Sequence, residues 1–357
     1  MNLSARGSAG QERETAMKTR LRIAGLITAL LALACPARAQ SVADFYRRTP
    51  ISLFVGSGAG GGFDTYARIF AAHFGKHVPG NPGVVVKNMP GATGLVAMNH
   101  IYNAAPRDGS ALLASFNTVI LNPLYGDANA KFDPRRLGWL GSTGKLTGSC
   151  LTWKTSGVSK YEDALAREVV VGATGDGSTP VMYPRLLNAM LGTRFKVIPG
   201  YATAGLRMAV ENGELQGICG IAWETHMASV PSWILGDKVN FLLQLGLSES
   251  THMKGVPLAL ELIKKPDDRQ VFELLGIPQE FGRPLFGPPD MPADRLAALR
   301  EAFEKTLVDK DYLADAAKAQ QFVDPLSARE IEALIARAYA APPDIIKRAS
   351  VYAATDN

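Results

Sequence analysis

Histidine and cysteine are scarce in this sequence, with five and three residues among 357. His73 and His77 have the i,i+4 spacing of one helix face, but the H-E-x-x-H glutamate and a third ligand are missing. Ser57 and Ser178 both lie outside any G-x-S-x-G segment. Because no motif suggests a metal site or an activated nucleophile, we expect a protein that is not an enzyme and needs no cofactor.

An excess of one charge is also missing once the N-terminus is set aside. The formal net charge is +5, but residues 1–39 hold six of the 38 Lys and Arg residues and two of the 33 Asp and Glu residues. The remaining 32 basic and 31 acidic residues nearly balance. Nucleic-acid and anionic-membrane binding need clustered basic charge, so we expect no nucleic-acid partner.

The N-terminal apolar run is too short to cross a bilayer. Ile23 to Cys35 contains thirteen uncharged residues, whereas a spanning helix needs about 20. It follows a basic segment that begins at Met17 and precedes the A-x-A site Ala37-Arg38-Ala39, the form of a cleavable signal peptide. We therefore expect translation to start at Met17, residues 1–39 to be upstream extension and signal peptide, and the protein to be periplasmic.

Two alternatives concern the cysteines. Cys150 and Cys219 remain after cleavage, and they can pair in an oxidising compartment or stay as buried thiols on neighbouring strands. Cleavage before Cys35 would instead create a lipid anchor, although Ala32 replaces the leucine usual at such sites. Both questions stay open at the level of sequence.

From Ile51 onward, β-branched runs alternate with Gly-rich turns and with apolar residues at helical spacing, which predicts an α/β fold. With about 318 residues after cleavage, the chain is long enough for two domains. Strands are predicted at 51–55, 83–89, 111–116, 150–153, 169–171, 195–198 and 215–219, and helices at 64–77, 95–102, up to 191, 204–212 and 292–310. Residues 122–144 lack clean periodicity and are interpreted as a crossover between the two domains. Ser327 to Glu330 have the sequence of a capping box, which predicts the start of a helix.

Two Gly-rich turns, each between a strand and a helix, are the strongest local features. The first is Gly56 to Asp64 and the second is Gly172 to Pro180. Backbone N–H groups in such turns approach a ligand closely and the helix N-terminus favours an anion, although the same glycines also serve tight packing. Asp64 is interpreted as a helix cap or as a ligand contact.

Gly56, Gly58 and Gly61 also satisfy G-x-G-x-x-G, the fingerprint of a dinucleotide site. That fold needs an acidic residue near the end of the second strand to hold the ribose. The strand ends instead with Val86-Lys87-Asn88-Met89, and export makes a nicotinamide cofactor a poor candidate.

In these segments the sequence resembles the substrate-binding receptors of tripartite tricarboxylate transporters, the Bug-type receptors. The resemblance runs through nearly all of residues 44–345. Its motifs are the strand, turn and aspartate of 55–68, the N-x-P-G-A-x-G segment of 88–94, the A-P-x-D-G turn of 105–109, the G-x-G-S turn of 175–178 and the P-A-D helix start at 292–294. The sequence departs from the family at Ala59, where proline is common, and at Pro180, where a polar residue is common.

The resemblance implies a type II periplasmic binding architecture, with two α/β lobes around a central ligand cleft. Lobe 1 would comprise residues 40–141 plus 245–357, and lobe 2 residues 142–244. The implied ligand-binding residues are Gly60, Gly61, Gly62, Phe63, Asp64, Ser115, Asn117, Gly175, Gly177, Ser178 and Thr179.

The implied function is that of a monomeric periplasmic receptor, which captures a small carboxylate and delivers it to a membrane permease. A receptor that signals to a membrane partner instead of a permease is the alternative, and the binding chemistry would be the same. An exported α/β enzyme is a third hypothesis, for which the sequence offers no general base.

Overall fold

The computed structural model describes residues 41–60, 62–175 and 178–353. The expected upstream extension and signal peptide, and the turn residues Gly61 and Gly177, lie outside the described residues. Over the described ranges, no helix combines the length and apolarity that crossing a membrane would require.

A first, mixed sheet has the strand order β11-β4-β10-β3-β1-β2. Strand β1 runs parallel to both β2 and β3, whereas β10 runs antiparallel to β3 and β4, and β11 antiparallel to β4. Its strands are β1 (Ile51–Val55), β2 (Val84–Asn88), β3 (Ala111–Ala114), β4 (Gly138–Ser142), β10 (Pro284–Gly287) and β11 (Leu326–Ser327).

A second mixed sheet has the order β7-β6-β8-β5-β9. Strand β6 runs parallel to β7 and β8, and β5 runs antiparallel to β8 and β9. The chain passes from the first sheet to the second through residues 143–147 and returns through residues 246–283. Its strands are β5 (Gly148–Trp153), β6 (Val169–Gly172), β7 (Phe195–Ile198), β8 (Gly217–Ala222) and β9 (Val239–Leu245).

Helices join most of the strands and form the C-terminal part of the chain. The helix predicted at 204–212 is confirmed as Thr203–Glu211, and the predicted capping box at Ser327 is also confirmed. The helices are α1 (Val42–Arg48), α2 (Gly62–Phe74), α3 (Leu95–Asn103), α4 (Tyr161–Ala166), α5 (Thr179–Leu191), α6 (Thr203–Glu211), α7 (Trp223–Ser229), α8 (Pro231–Leu235), α9 (Ala259–Leu262), α10 (Pro266–Glu280), α11 (Ala293–Leu307), α12 (Lys310–Lys318), α13 (Ala328–Tyr339) and α14 (Pro343–Ala353).

Apolar residues bury one face of the first sheet under α2 and α11, where Phe70 lies 4.8 Å from Phe74 and 5.6 Å from Phe303, measured between ring centroids. A larger cluster contains residues of both sheets. Helix α10 contributes to it because Phe272 packs 5.9 Å from Tyr183 on α5. This continuous packing connects the C-terminal helices to the second sheet as well as to the first.

The predicted α/β fold is confirmed, but strands β4, β9, β10 and β11 are not among the predicted strands. Residues 122–144 contain β4, an inner strand of the first sheet. All its residues are buried, so the alternation of apolar and polar residues that marks a strand is lost. A larger residue cannot replace Gly141, because its Cβ would lie 2.3 Å from the Phe303 ring.

Cys150 and Cys219 are opposite each other on the antiparallel strands β5 and β8. Both side chains are fully buried, and their sulfur atoms are joined in a disulfide. Of the two pairing states that the sequence leaves open, the structure therefore has the oxidised one.

Candidate functional site

Three parallel strands of the first sheet end at the same edge. Val55 of β1 pairs with Asn88 of β2 and with Ala114 of β3, so the residues that follow these strands are neighbours. Ser57 and Ser115 are among them. In open α/β sheets, ligands bind outside the carboxyl ends of the strands, which makes this edge the first half of the candidate site.

The carboxylate of Asp64 organises the first Gly-rich turn. Its Oδ2 accepts hydrogen bonds from the Gly60 N–H at 2.8 Å and from Arg68 Nε at 2.8 Å, and its Oδ1 accepts from Asn88 Nδ2 at 2.7 Å. Asn88 Nδ2 also donates to the Ser57 carbonyl at 3.0 Å. One side chain at the start of α2 thus fixes the backbone of the turn to the end of β2.

The same contacts determine the charge of Asp64, whose residue is only 2% exposed. Burial by itself raises the pKa of this carboxyl. The hydrogen bonds from Arg68, Gly60 and Asn88 and the charge of Arg68 outweigh burial, so the pKa falls below its ordinary value. Asp64 is therefore an ionised carboxylate whose oxygens are both occupied by protein donors. The structure shows Asp64 binding the turn that precedes its helix, and its interpretation as a ligand contact stays a prediction.

Aromatic side chains stand beside the first turn. The half-buried Phe63 ring lies 4.4 Å from Phe116 and 5.7 Å from Tyr66, measured between centroids. Phe116 follows Ser115 directly, so α2 and the end of β3 meet through this pair. Gly60 adopts a positive φ of 81°, and Gly62 is the first residue of α2.

Ser115 and Asn117 differ in what they contact. The Ser115 hydroxyl is completely buried and has no hydrogen-bond partner among the described residues. Asn117 Nδ2 donates to the Pro278 carbonyl of α10 at 2.8 Å, which ties the end of β3 to that helix. Among the described residues, the Ser115 hydroxyl is thus unpaired, whereas the Asn117 amide nitrogen donates to the protein backbone.

The second Gly-rich turn follows β6 and is held by backbone contacts. Ala173 N donates to the Ile198 carbonyl at 2.9 Å, and Gly200 N donates to the Thr174 carbonyl at 2.6 Å. Ser178 is the N-cap of α5, yet its side chain makes no capping hydrogen bond, and its buried hydroxyl has no partner within the described ranges. Thr179 begins α5, and Gly175 is exposed.

Helix α10 links the two halves of the candidate site. Gln279 accepts a hydrogen bond from the Gly148 N–H at 2.6 Å and donates to the hydroxyl of Tyr183, one turn into α5. Its neighbour Pro278 accepts from Asn117 on the first sheet. The end of β3 and the start of α5 therefore share one supporting helix.

Trp223, at the start of α7, belongs to an aromatic cluster. Its ring stacks on His252 with a centroid separation of 4.3 Å and lies 5.0 Å from Phe322, a residue near β11 of the first sheet. Helix α7 also contacts α2. The beginning of α7 is thus a second place where elements of the two sheets meet.

His73 and His77 contact carboxylates of the neighbouring segment of chain. His73 Nε2 lies 3.0 Å from Asp315 and His77 Nε2 lies 2.8 Å from Asp309, and both acidic residues belong to or flank α12. Within the described ranges, no group of three or more His, Cys, Asp or Glu residues is arranged to hold a metal ion. The i,i+4 spacing of the two histidines serves helix packing.

Comparisons with known proteins agree with this architecture. No family model matches the chain. A UPF0065 protein from Cupriavidus necator is 25% identical over 309 residues, which are 84% of this chain and 86% of that protein. A TctC solute-binding protein from Polaromonas superposes with a TM-score of 0.65 and 20% identity, over 85% of this chain and 99% of its own.

MatC from Rhodopseudomonas palustris, solved with bound malate, has a TM-score of 0.58 and 17% identity, over 84% of this chain and 99% of its own. These likenesses confirm the fold of periplasmic binding proteins. They also confirm the resemblance to Bug-type and TctC receptors that the sequence motifs predict.

Proposed function

We propose that this protein is a non-catalytic periplasmic receptor that binds a small carboxylate between the strand ends of its two sheets. The observation that carries the proposal is a set of buried hydroxyls that have no hydrogen-bond partner in the part of the chain that the structure describes. They belong to Ser57 and Ser115 at the edge of the first sheet and to Ser178 at the start of α5.

Buried polar groups in folded proteins are nearly always hydrogen-bonded, and leaving one unpaired costs about 1–3 kcal/mol. Three such hydroxyls at the ends of parallel strands and at a helix start are therefore best explained by an external acceptor. A carboxylate accepts several hydrogen bonds at once and is favoured at a helix N-terminus. The malate bound to MatC is a carboxylate of this kind.

The proposal includes two lobes, residues 40–141 plus 245–357 and residues 142–244, each built on one sheet. A ligand that contacts both lobes only when they are closed shifts the equilibrium toward the closed form. The proposed residues of the binding site in the first lobe are Gly60, Gly61, Gly62, Phe63, Asp64, Ser115 and Asn117, and in the second Gly175, Gly177, Ser178 and Thr179. For Asp64 and Asn117, the proposed role is support of the turn and of the strand end.

The proposed partner of the closed form is a membrane permease. In the alternative, the closed form acts on a signalling protein in the membrane. The neighbouring genes discriminate between a transport function and a signalling function. A pair of permease genes beside this gene supports transport, whereas a two-component system supports signalling.

A ligand panel tests the binding function. We expect at least one di- or tricarboxylate, aromatic acid or acidic amino acid to raise the melting temperature. A free ligand concentration of 100 times Kd adds about 2.7 kcal/mol to the free energy of unfolding. The diamide of the best acid, at equal ionic strength, is the matched control and is expected to produce no shift. A flat response to every acid contradicts the proposal.

A further inference from the structure

A buried arginine lies at the same sheet edge as Ser115. Arg283 immediately precedes β10, whose Leu285 pairs with Ala114, the residue before Ser115. The backbone of Arg283 is fixed by hydrogen bonds to residues 142–144, where the chain leaves the first sheet. Its position is therefore determined by the strands that carry the candidate site.

The charge of Arg283 has no acceptor in contact. The residue is 6% exposed, and none of the hydrogen bonds among the described residues involves its guanidinium. The guanidinium carbon lies 5.7 Å from the centre of the Tyr66 ring. Burial lowers the pKa of Arg283, and the guanidinium remains a cation with five donors. A buried charge is unfavourable unless an acceptor pairs with it.

The surroundings of Arg283 contain further unpaired groups. A narrow crevice, too tight in this conformation to hold a water molecule, is lined by residues that include Arg283, Tyr66, Thr143, Tyr312 and Gln321. The Tyr66 hydroxyl is buried without a partner. The Tyr66 ring on α2 lies 5.7 Å from the ring of Phe63 in the first Gly-rich turn, measured between centroids, so one wall of the crevice adjoins the proposed carboxylate site.

The nearest protein carboxylate that influences Arg283 is occupied elsewhere. Glu224 of α7 accepts a hydrogen bond from the Thr147 N–H at 2.9 Å and forms no ion pair with Arg283 within 4 Å. Burial raises the pKa of Glu224, and the charge of Arg283 only partly counteracts this effect. Glu224 therefore does not neutralise the guanidinium by direct contact.

We propose that Arg283 and the Tyr66 hydroxyl bind a second carboxylate of the ligand and make the receptor selective for dicarboxylates. The proposal rests on the carboxylate-binding function and specifies its ligand class. A planar carboxylate matches the donor geometry of a guanidinium and accepts from the Tyr66 hydroxyl at the same time. The crevice has to widen to admit this carboxylate, and the Gln321 side chain forms part of its wall.

Paired acids of equal chain length test the selectivity by calorimetric titration. For the unmodified protein we expect adipate to bind at least 30-fold more tightly than hexanoate, and succinate more tightly than butyrate. Arg283→Gln is expected to weaken binding of the diacid about 10- to 100-fold while changing that of the monoacid less than 3-fold. Arg283→Lys keeps the charge and is expected to recover part of the loss.

Two further variants separate this role from a structural one. Tyr66→Phe removes only the unpaired hydroxyl, so we expect weaker diacid binding with an unchanged melting temperature. Arg207→Gln removes a half-buried arginine of α6 that does not line the crevice and is expected to preserve the diacid preference.

Equal binding of diacids and monoacids by the unmodified protein would show that the inference is wrong. So would an unchanged preference for diacids in Tyr66→Phe and in a folded Arg283→Gln. Neither result would contradict the proposed binding of a carboxylate. Absence of binding by any acid contradicts the proposed function itself.

Discussion

The two Gly-rich turns occupy equivalent places after β1 and β6, but different groups hold them. In the first turn, the Asp64 carboxylate binds the Gly60 N–H and Asn88. In the second, backbone groups of Ala173 and Thr174 bind residues at the end of β7. The difference shows that an acidic residue in such a turn can hold its backbone in place through hydrogen bonds to both carboxylate oxygens.

If the second turn depends on backbone packing, Gly220→Ala should have the largest effect on stability. Gly220 has a φ of 113°, and a Cβ there would lie 2.3 Å from the Thr179 carbonyl oxygen at the start of α5. We expect a loss of about 3 kcal/mol from backbone strain and steric overlap. Denaturant unfolding measures it.

Gly213→Ala is the matched control, because Gly213 also has a positive φ, 79°, but open space around its Cβ position. Its expected cost is the strain alone, about 1 kcal/mol. Equal losses in the two variants would contradict the packing explanation for the second turn.

The first turn should respond to its carboxylate. Asp64→Asn replaces one acceptor oxygen by a donor facing Gly60 and Arg68, and we expect it to cost about 2 kcal/mol near pH 7. Because the folded-state pKa of Asp64 is lowered, its stabilisation is present above the unfolded pKa of about 4 and is lost as the pH falls through the folded pKa.

The difference in free energy of unfolding between the unmodified protein and Asp64→Asn should therefore be constant from pH 5 to 8 and shrink below pH 4. Asp44→Ala removes an exposed carboxylate that pairs with Arg47, and it should cost less than about 0.5 kcal/mol. A difference that is independent of pH down to pH 2 would show that the Asp64 charge does not hold the turn.

The hydroxyls give the smallest effect on stability and a selective effect on binding. Ser178→Ala removes a group with no protein partner, so the melting temperature should stay unchanged while carboxylate affinity falls about 10-fold. Ser149→Ala is the converse control. Its hydroxyl donates to the Ile221 carbonyl at 2.9 Å, and we expect lower stability with unchanged affinity. Calorimetric titration and thermal unfolding of both variants distinguish the two roles.

Much of the fold could be predicted from the sequence, because most strands and helices have clear apolar periodicity. The helix predicted to end at Leu191 ends there in the structure, and the strand predicted at 195–198 has these same bounds. Strand β4 could not be predicted, since burial on both faces removes the alternation and Gly138 and Gly141 are there to make room for Met291 and Phe303.

The site was accessible to sequence reasoning only in part. Motifs single out the Gly-rich turns, and the family resemblance points to Ser115 and Asn117, whereas Asn88 belongs to one of these motifs without any sign of its bond to Asp64. Arg283 had no local signal, because its importance depends on a buried position beside α2, more than 200 residues earlier in the chain. Contacts between distant segments decide which polar residues remain unpaired.

A crystal structure with the carboxylate that gives the largest thermal shift would test whether the ligand binds between the two Gly-rich turns. We expect ligand density there, with a carboxylate oxygen within about 3 Å of the hydroxyls of Ser115 and Ser178. Density for the acid elsewhere, with these two hydroxyls still unpaired, would contradict it.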